Sequence, residues 1–360
     1  MAEGGLASKT ISILLRGTEM VLKFSKTIVS LGLALGLVAA APTVAQAASH
    51  GAPCGTDRII DIAEMSWPSA AALAQIHAII LKEGYGCNVE IVAGDTVPTS
   101  ASLLAKGTPA IAPELWTGTI QEAWDEGLAN GAVAVAGLAI SDGAVEGWWI
   151  PKYVADANPG LKRVEDLVDY AELFADPDDP SKGRFYSCPP GWGCEIGNAA
   201  LFEAYGLEET YNLFSPGSGG NLDASIARAF VRKEPIVFYY WGPTGLMGKY
   251  DMVQLEMPAY DPEVWKCNMD AECEPKGKSA FATPPVVVGT AAWIAEEAPV
   301  VNEYLGNVSL NNVQISQMLD WGAENKASAE ETAINFLKTR EDIWMAWVPE
   351  AVAEAIKASL

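Results

Sequence analysis

The chain has 360 residues, half of them hydrophobic, with 46 acidic against 23 basic residues and a formal net charge of −23. Such a length suits about two domains, and such an apolar content a compact core. The charge excludes phosphate backbones and anionic lipid surfaces as partners, so no nucleic acid is expected, and soluble cationic or zwitterionic molecules are favoured.

At the N-terminus, Lys23 and Lys26 precede an apolar run from Ile28 to Ala41, and Ala45-Gln46-Ala47 has the small-residue cleavage pattern of an export signal. Residues 1–47 therefore read as a signal peptide cleaved near Ala47, which places the mature protein in the periplasm. The run is shorter than the roughly 20 residues of a membrane helix.

Beyond the cut, strand and helix patterns alternate. Arg58–Met65 is expected as a strand, with Ser66 as N-cap and Trp67-Pro68 opening a helix. That helix runs to about Lys82 on Leu73, Ile76, Ile79 and Ile80, and stops near Gly84 or Gly86. Asn88–Ala93 follows as a second strand, completing a βαβ unit with a parallel pair. A short strand at Ala110–Pro113, a helix over Gly118–Asn130 and a strand at Ala132–Leu138 come next. Asp176–Gly183, rich in Asp and Pro, reads as a surface loop. Arg184–Cys188 is expected as a strand, Glu195–Tyr205 and Leu222–Arg232 as helices, and Ile236–Tyr240 as a strand ending at Trp241. Asp261–Lys278 reads as a cysteine-bearing loop, and the chain from Val300 onward as mainly helical, with Asn335–Val348 its strongest amphipathic piece. The fold class is α/β. Two such lobes form a clam, residues 48–149 plus 292–360 in the first and 150–291 in the second, with the ligand in the cleft beyond the strands' carboxyl ends.

The six cysteines all lie beyond the expected cut, and an even count in an exported chain reads as disulfides. Many pairings are open to six cysteines. Short loop closure favours Cys188–Cys194 and Cys267–Cys273, and Cys54–Cys87 would join the starts of two neighbouring strands. No CxxC occurs and the only histidines are His50 and His77, so no metal and no cofactor is expected.

The segment Cys188-Pro189-Pro190-Gly191-Trp192-Gly193-Cys194 carries the most chemistry. An indole face attracts a quaternary ammonium through its ring quadrupole, and the backbone N–H groups of Gly193 and Cys194, at a helix start, suit a carboxylate. Of the 12 tryptophans, Trp67, Trp116, Trp148 or Trp149, and Trp241 each follow a strand candidate. A trimethylammonium group cannot donate a hydrogen bond, so several ring faces recognise it better than one carboxylate does. Trp124, Trp265, Trp293, Trp321, Trp344 and Trp347 read as packing residues.

Four pieces in this order, Glu114-Leu115-Trp116-Thr117, Gly147-Trp148-Trp149-Ile150-Pro151, the Cys188–Cys194 segment and Val237-Phe238-Tyr239-Tyr240-Trp241-Gly242-Pro243, resemble the extracytoplasmic glycine betaine/proline betaine-binding proteins of ABC transporters. The resemblance covers most of the chain beyond the signal and implies a two-lobed periplasmic-binding-protein clam of type II. It implies that Trp116, Trp192 and Trp241 box the ammonium, that Gly193 and Cys194 hold the carboxylate, and that Cys188–Cys194 is a disulfide. Trp67 and Trp148 fall where related choline-binding proteins place box residues. Ile120 stands where the better-known members carry a histidine four residues after the first tryptophan, which leaves choline, carnitine and other betaines as candidates.

The implied function is capture of a quaternary ammonium compound by a monomer and its delivery to an ABC permease, without catalysis. A sensor that presents the same ligand to a membrane receptor is the alternative. An exported hydrolase fits poorly, because no G-x-S-x-G elbow occurs. Glu114 and Glu195 stand near the expected site and read as solvated carboxylates.

Overall fold

A computed structural model describes residues 53–360; the expected signal, residues 1–47, and His50 lie outside the described residues. Ten strands are distributed over two five-stranded sheets. The first contains β1 (Ile60–Met65), β2 (Val89–Gly94), β3 (Ile111–Trp116), β4 (Val133–Leu138) and β10 (Val286–Ala291), in the order β2-β1-β3-β10-β4. The second contains β5 (Val145–Pro151), β6 (Gly183–Tyr186), β7 (Tyr211–Phe214), β8 (Val237–Gly242) and β9 (Met252–Gln254), in the order β7-β6-β8-β5-β9.

The expected βαβ unit is present. β1 pairs with β2 in parallel from Ile60–Val89 to Met65–Gly94, and the helix Pro68–Ile79 crosses between them. Buried Ile60, Ile62, Leu73 and Ile76 form its packed side. Pro68 does occupy the first helical turn, but Ser66 is not the cap: Trp67 takes that place, with extended backbone. The Ser66 hydroxyl donates instead to Asp95 at 2.6 Å and accepts from the Trp192 indole at 2.8 Å.

Two strands fall on the other side of the expected lobe limits. All of β5 belongs to the second sheet, where it pairs with β8 and β9. Strand β10 returns to the first sheet, antiparallel to β3 and β4. Hydrogen bonding across about 100 residues for β5, and about 150 to 180 for β10, decides the two memberships, and local pattern carries no trace of it.

The expected loop 261–278 contains a helix, Pro262–Met269, because Asp261 accepts from the backbone N–H groups of Glu263 and Val264 and Pro262 opens the first turn. A helix over Thr96–Lys106, unread in the sequence, closes with Gly107 in the left-handed region. The piece Asn335–Val348 is not one helix: the chain breaks at Arg340, between Ala329–Thr339 and Glu341–Trp344.

Bonds join the two halves directly. Besides Trp192 to Ser66, the Val97 N–H donates to the Gly191 carbonyl at 3.2 Å, and the Trp265 indole donates to the Gly118 carbonyl at 2.8 Å. These three bonds hold the two halves together beside Trp192.

Candidate ligand-binding site

Each half supplies two indoles to one narrow pocket, a cavity of about 30 Å³. From the first sheet come Trp67, directly after β1, and Trp116, the last residue of β3; from the second come Trp192, the N-cap of the helix Gly193–Ala204, and Trp241 in β8. The Trp192 ring stands edge-on to both neighbours, 5.3 Å from Trp67 at 72° and 4.9 Å from Trp241 at 83°. Ring faces set at steep angles to that of Trp192 suit a tetrahedral methylated head, which presents apolar surface in several directions at once.

The loop that carries Trp192 is fixed on several sides. Cys188 and Cys194 are joined by a disulfide, as are Cys54 with Cys87 and Cys267 with Cys273. Gly191 has φ +87°, a backbone state that glycine adopts without strain. Its N–H donates to the Glu195 carboxylate at 2.9 Å. Glu195 thus clasps the loop while staying partly exposed.

Gly193 and Cys194 also line the pocket. Among the described residues neither backbone N–H has a protein acceptor, as the first turn of a helix requires. Facing them is Thr119, whose buried hydroxyl has no partner. A Cβ on Gly193 would stand 1.8 Å from the Thr119 oxygen, so only glycine permits this approach. Ile120 does not line the pocket; the neighbouring Thr119 supplies the polar group there.

Trp148 is not a pocket wall. It lies on the same strand face as Glu146 but one step deeper, completely buried against Phe185 at 4.4 Å, with its indole N–H donating to Asn198 at 2.7 Å. Asn198 belongs to the helix Gly193–Ala204, so Trp148 supports the floor under that helix. Its neighbour Trp149 donates to the Tyr240 carbonyl at 3.1 Å.

Glu114 is fully buried, not solvated. One of its oxygens accepts from the indoles of Trp67 at 2.7 Å and Trp116 at 3.0 Å and from the Ser69 hydroxyl at 3.0 Å. Burial pushes this carboxyl above its ordinary value, and the three donors pull it back.

The sequence reading missed Thr96, Thr119, Glu146 and Tyr239. Glu146 in β5 stands opposite Trp241 of β8, and the Tyr239 hydroxyl donates to it at 2.6 Å. Burial pushes the Glu146 carboxyl up to about 7, with the Tyr239 bond as the opposing influence. Tyr239 was within reach of strand alternation, two residues before Trp241; Glu146 was not, since its partner strand is far along the chain.

A wider cleft shares Trp67 and Trp241 with the pocket, and its wall carries Glu64, Asp95, Asp223, Asp320 and Glu324 against Lys249 and Lys326. An excess of carboxylates at this entrance attracts cations.

A family comparison matches residues 59–339 to the substrate-binding domain of the ABC-type glycine betaine transport system, OpuAC. Among solved structures, the glycine betaine/L-proline-binding protein ProX of Borrelia burgdorferi is 17% identical with a TM-score of 0.63, over 83% of this chain and 100% of its own. An ABC-transporter choline-binding protein in complex with choline is 19% identical with a TM-score of 0.63, over 85% of this chain and 98% of its own. Lactococcal OpuAC, closed on glycine betaine, is 19% identical with a TM-score of 0.61, over 81% of this chain and 100% of its own. These likenesses establish the fold as the two-lobed clam of type II periplasmic-binding proteins.

Proposed function

The chain belongs to the family of substrate-binding domains of ABC-type glycine betaine transport systems, and on that premise we propose that it captures a quaternary ammonium compound between Trp67, Trp116, Trp192 and Trp241. The observation that carries this reading is the convergence of four indoles, two from each half, on one small pocket. Each ring face contributes about 0.5–2 kcal/mol to holding a methylated cation, enough in sum for micromolar affinity after binding costs. The Gly193 and Cys194 N–H groups and the Thr119 hydroxyl face the ligand's polar tail, a carboxylate in glycine betaine or a hydroxyl in choline.

The protein then acts outside the cytoplasm as a monomer with no cofactor and no reaction of its own. Closure of the lobe built on the first sheet against the lobe built on the second creates the surface that an ABC permease reads. A calorimetric screen of glycine betaine, choline, carnitine and proline tests the ligand class. At least one quaternary ammonium compound binds with micromolar affinity, and Trp192→Ala weakens it by roughly thirtyfold or more. No heat with any of them would discard the reading.

A further inference from the structure

We propose that Glu146 sets which quaternary ammonium the pocket takes: its carboxylate is a fifth wall of the box and selects a net cation of the choline type over a zwitterionic betaine. This rests on the reading that the pocket holds a quaternary ammonium, and it goes further by naming the charge class and the residue that decides it.

Glu146 shares the pocket with the four indoles and stands across the strand pair from Trp241. Among the described residues no Lys, Arg or His lines the pocket. The groups that face Glu146 from the elements around it are Tyr239 and Trp241 of β8, Trp116 at the end of β3, the start of the helix Gly193–Ala204, and Ala282, Thr283 and Pro284 ahead of β10. Tyr239 is the one titratable side chain among these, and it supplies a hydrogen bond but no positive charge. Glu114, fully buried, is bonded to the indole N–H groups of Trp116 and Trp67 and does not line the pocket.

A half-buried carboxylate set among rings, with one donor and no counter-ion, has two ways to settle: it keeps a proton, or it meets a cation. Burial pushes this group up to about 7, against the pull of the Tyr239 bond, so it readily keeps a proton near neutral pH. A quaternary ammonium has a permanent charge and can replace the proton. In a zwitterion the anionic end sits a few bonds from the nitrogen, inside the same small cavity, so repulsion by Glu146 offsets much of the attraction. A neutral hydroxyl tail, turned toward the Gly193 and Cys194 N–H groups and Thr119, brings no such repulsion. The acidic wall of the wider cleft favours the same charge class.

Cation binding lowers the Glu146 value, so binding near neutral pH releases a proton, and affinity for a choline-type ligand falls as pH drops below about 7. A zwitterion gains little from ionised Glu146 and loses little when it protonates.

Isothermal calorimetry with choline and with glycine betaine, from about pH 5.5 to 8.5, on the wild type, Glu146→Gln and Tyr239→Phe decides the matter. The wild type binds choline more tightly above pH 7, with proton release seen as buffer-dependent heat. Glu146→Gln lowers the choline-to-betaine affinity ratio by roughly tenfold and flattens the pH profile. Tyr239→Phe keeps the choline preference but moves the fall in affinity to higher pH, because the carboxylate has lost its donor. A wild type that prefers glycine betaine at pH 8, or a Gln variant with the wild-type ratio and profile, overturns the proposal while leaving the ligand class standing. If neither compound binds the wild type, both readings fall. Should Glu146→Gln not fold, the wild-type ratio and the Tyr239→Phe shift decide alone.

Discussion

The indole N–H of Trp67 donates to the Glu114 carboxylate at 2.7 Å, and the same oxygen accepts from Trp116. One buried acid therefore fixes the orientation of both rings contributed by the first sheet. Glu114→Ala would leave two indole N–H groups and the Ser69 hydroxyl unpaired, at about 1–3 kcal/mol for each group that stays dry. Denaturant titration should give a markedly lower midpoint for Glu114→Ala and a smaller drop for Glu114→Gln, which keeps one acceptor oxygen. Equal midpoints for wild type and Glu114→Ala would contradict the orienting role.

Gly193 meets Thr119 across the cleft without room for a methyl group. Gly193→Ala is expected to hold the two halves apart and to reduce affinity by at least roughly tenfold, at little cost to either half, since alanine suits a helix start. Small-angle scattering would then report a more open molecule at saturating ligand. A compact variant with wild-type affinity would refute the close approach.

The Cys188–Cys194 bond closes the loop that presents Trp192. A Cys188→Ser/Cys194→Ser double variant should bind several-fold more weakly, because the loop must then be ordered at the expense of binding. Calorimetry on the variant checks this directly. Unchanged affinity would assign the positioning of Trp192 to Gly191, Glu195 and Ser66 alone.

His77 is completely buried, its ring nitrogen 2.7 Å from the Tyr304 hydroxyl. Burial lowers it from 6.5 to about 4. A depressed folded-state value means that its contribution is whole above pH 6.5 and is lost as pH falls through about 4. The loss is on the order of 3 kcal/mol. Glu146 and Asp223, raised by burial to about 7 and about 6, act in the opposite sense, adding stability as pH falls through those values. His77→Phe should flatten the acid side of the stability profile, followed by urea midpoints at pH 7 and pH 5; an unaltered slope would show that His77 is not held neutral.

Much of this architecture was readable one element at a time. The β1–helix–β2 unit follows from period and proline placement; of the five tryptophans expected together at strand ends or a helix start, Trp67, Trp116, Trp192 and Trp241 line one pocket and the fifth, Trp148 or Trp149, does not. What escaped the reading depends on partners far along the chain. Trp148 and Glu146 share one face of β5, yet Phe185 and Asn198 cover the first and Trp241 stands opposite the second. Strand alternation alone cannot tell a core position from a pocket position on the same face. Ser66 had the residue type of a helix cap, and only the arrival of Asp95 and Trp192 gave it other work. The helix Thr96–Lys106 opens on Thr96-Val97-Pro98-Thr99-Ser100, a proline-bearing run of β-branched and hydroxyl residues that reads as loop or strand rather than as a helix start.

The most direct measurement is a crystal structure of the protein grown with choline or glycine betaine. The account predicts the methylated nitrogen within about 6 Å of the ring centres of Trp67, Trp116, Trp192 and Trp241. Ligand density confined to the wider acidic cleft, with the four indoles packed only against protein, would contradict it.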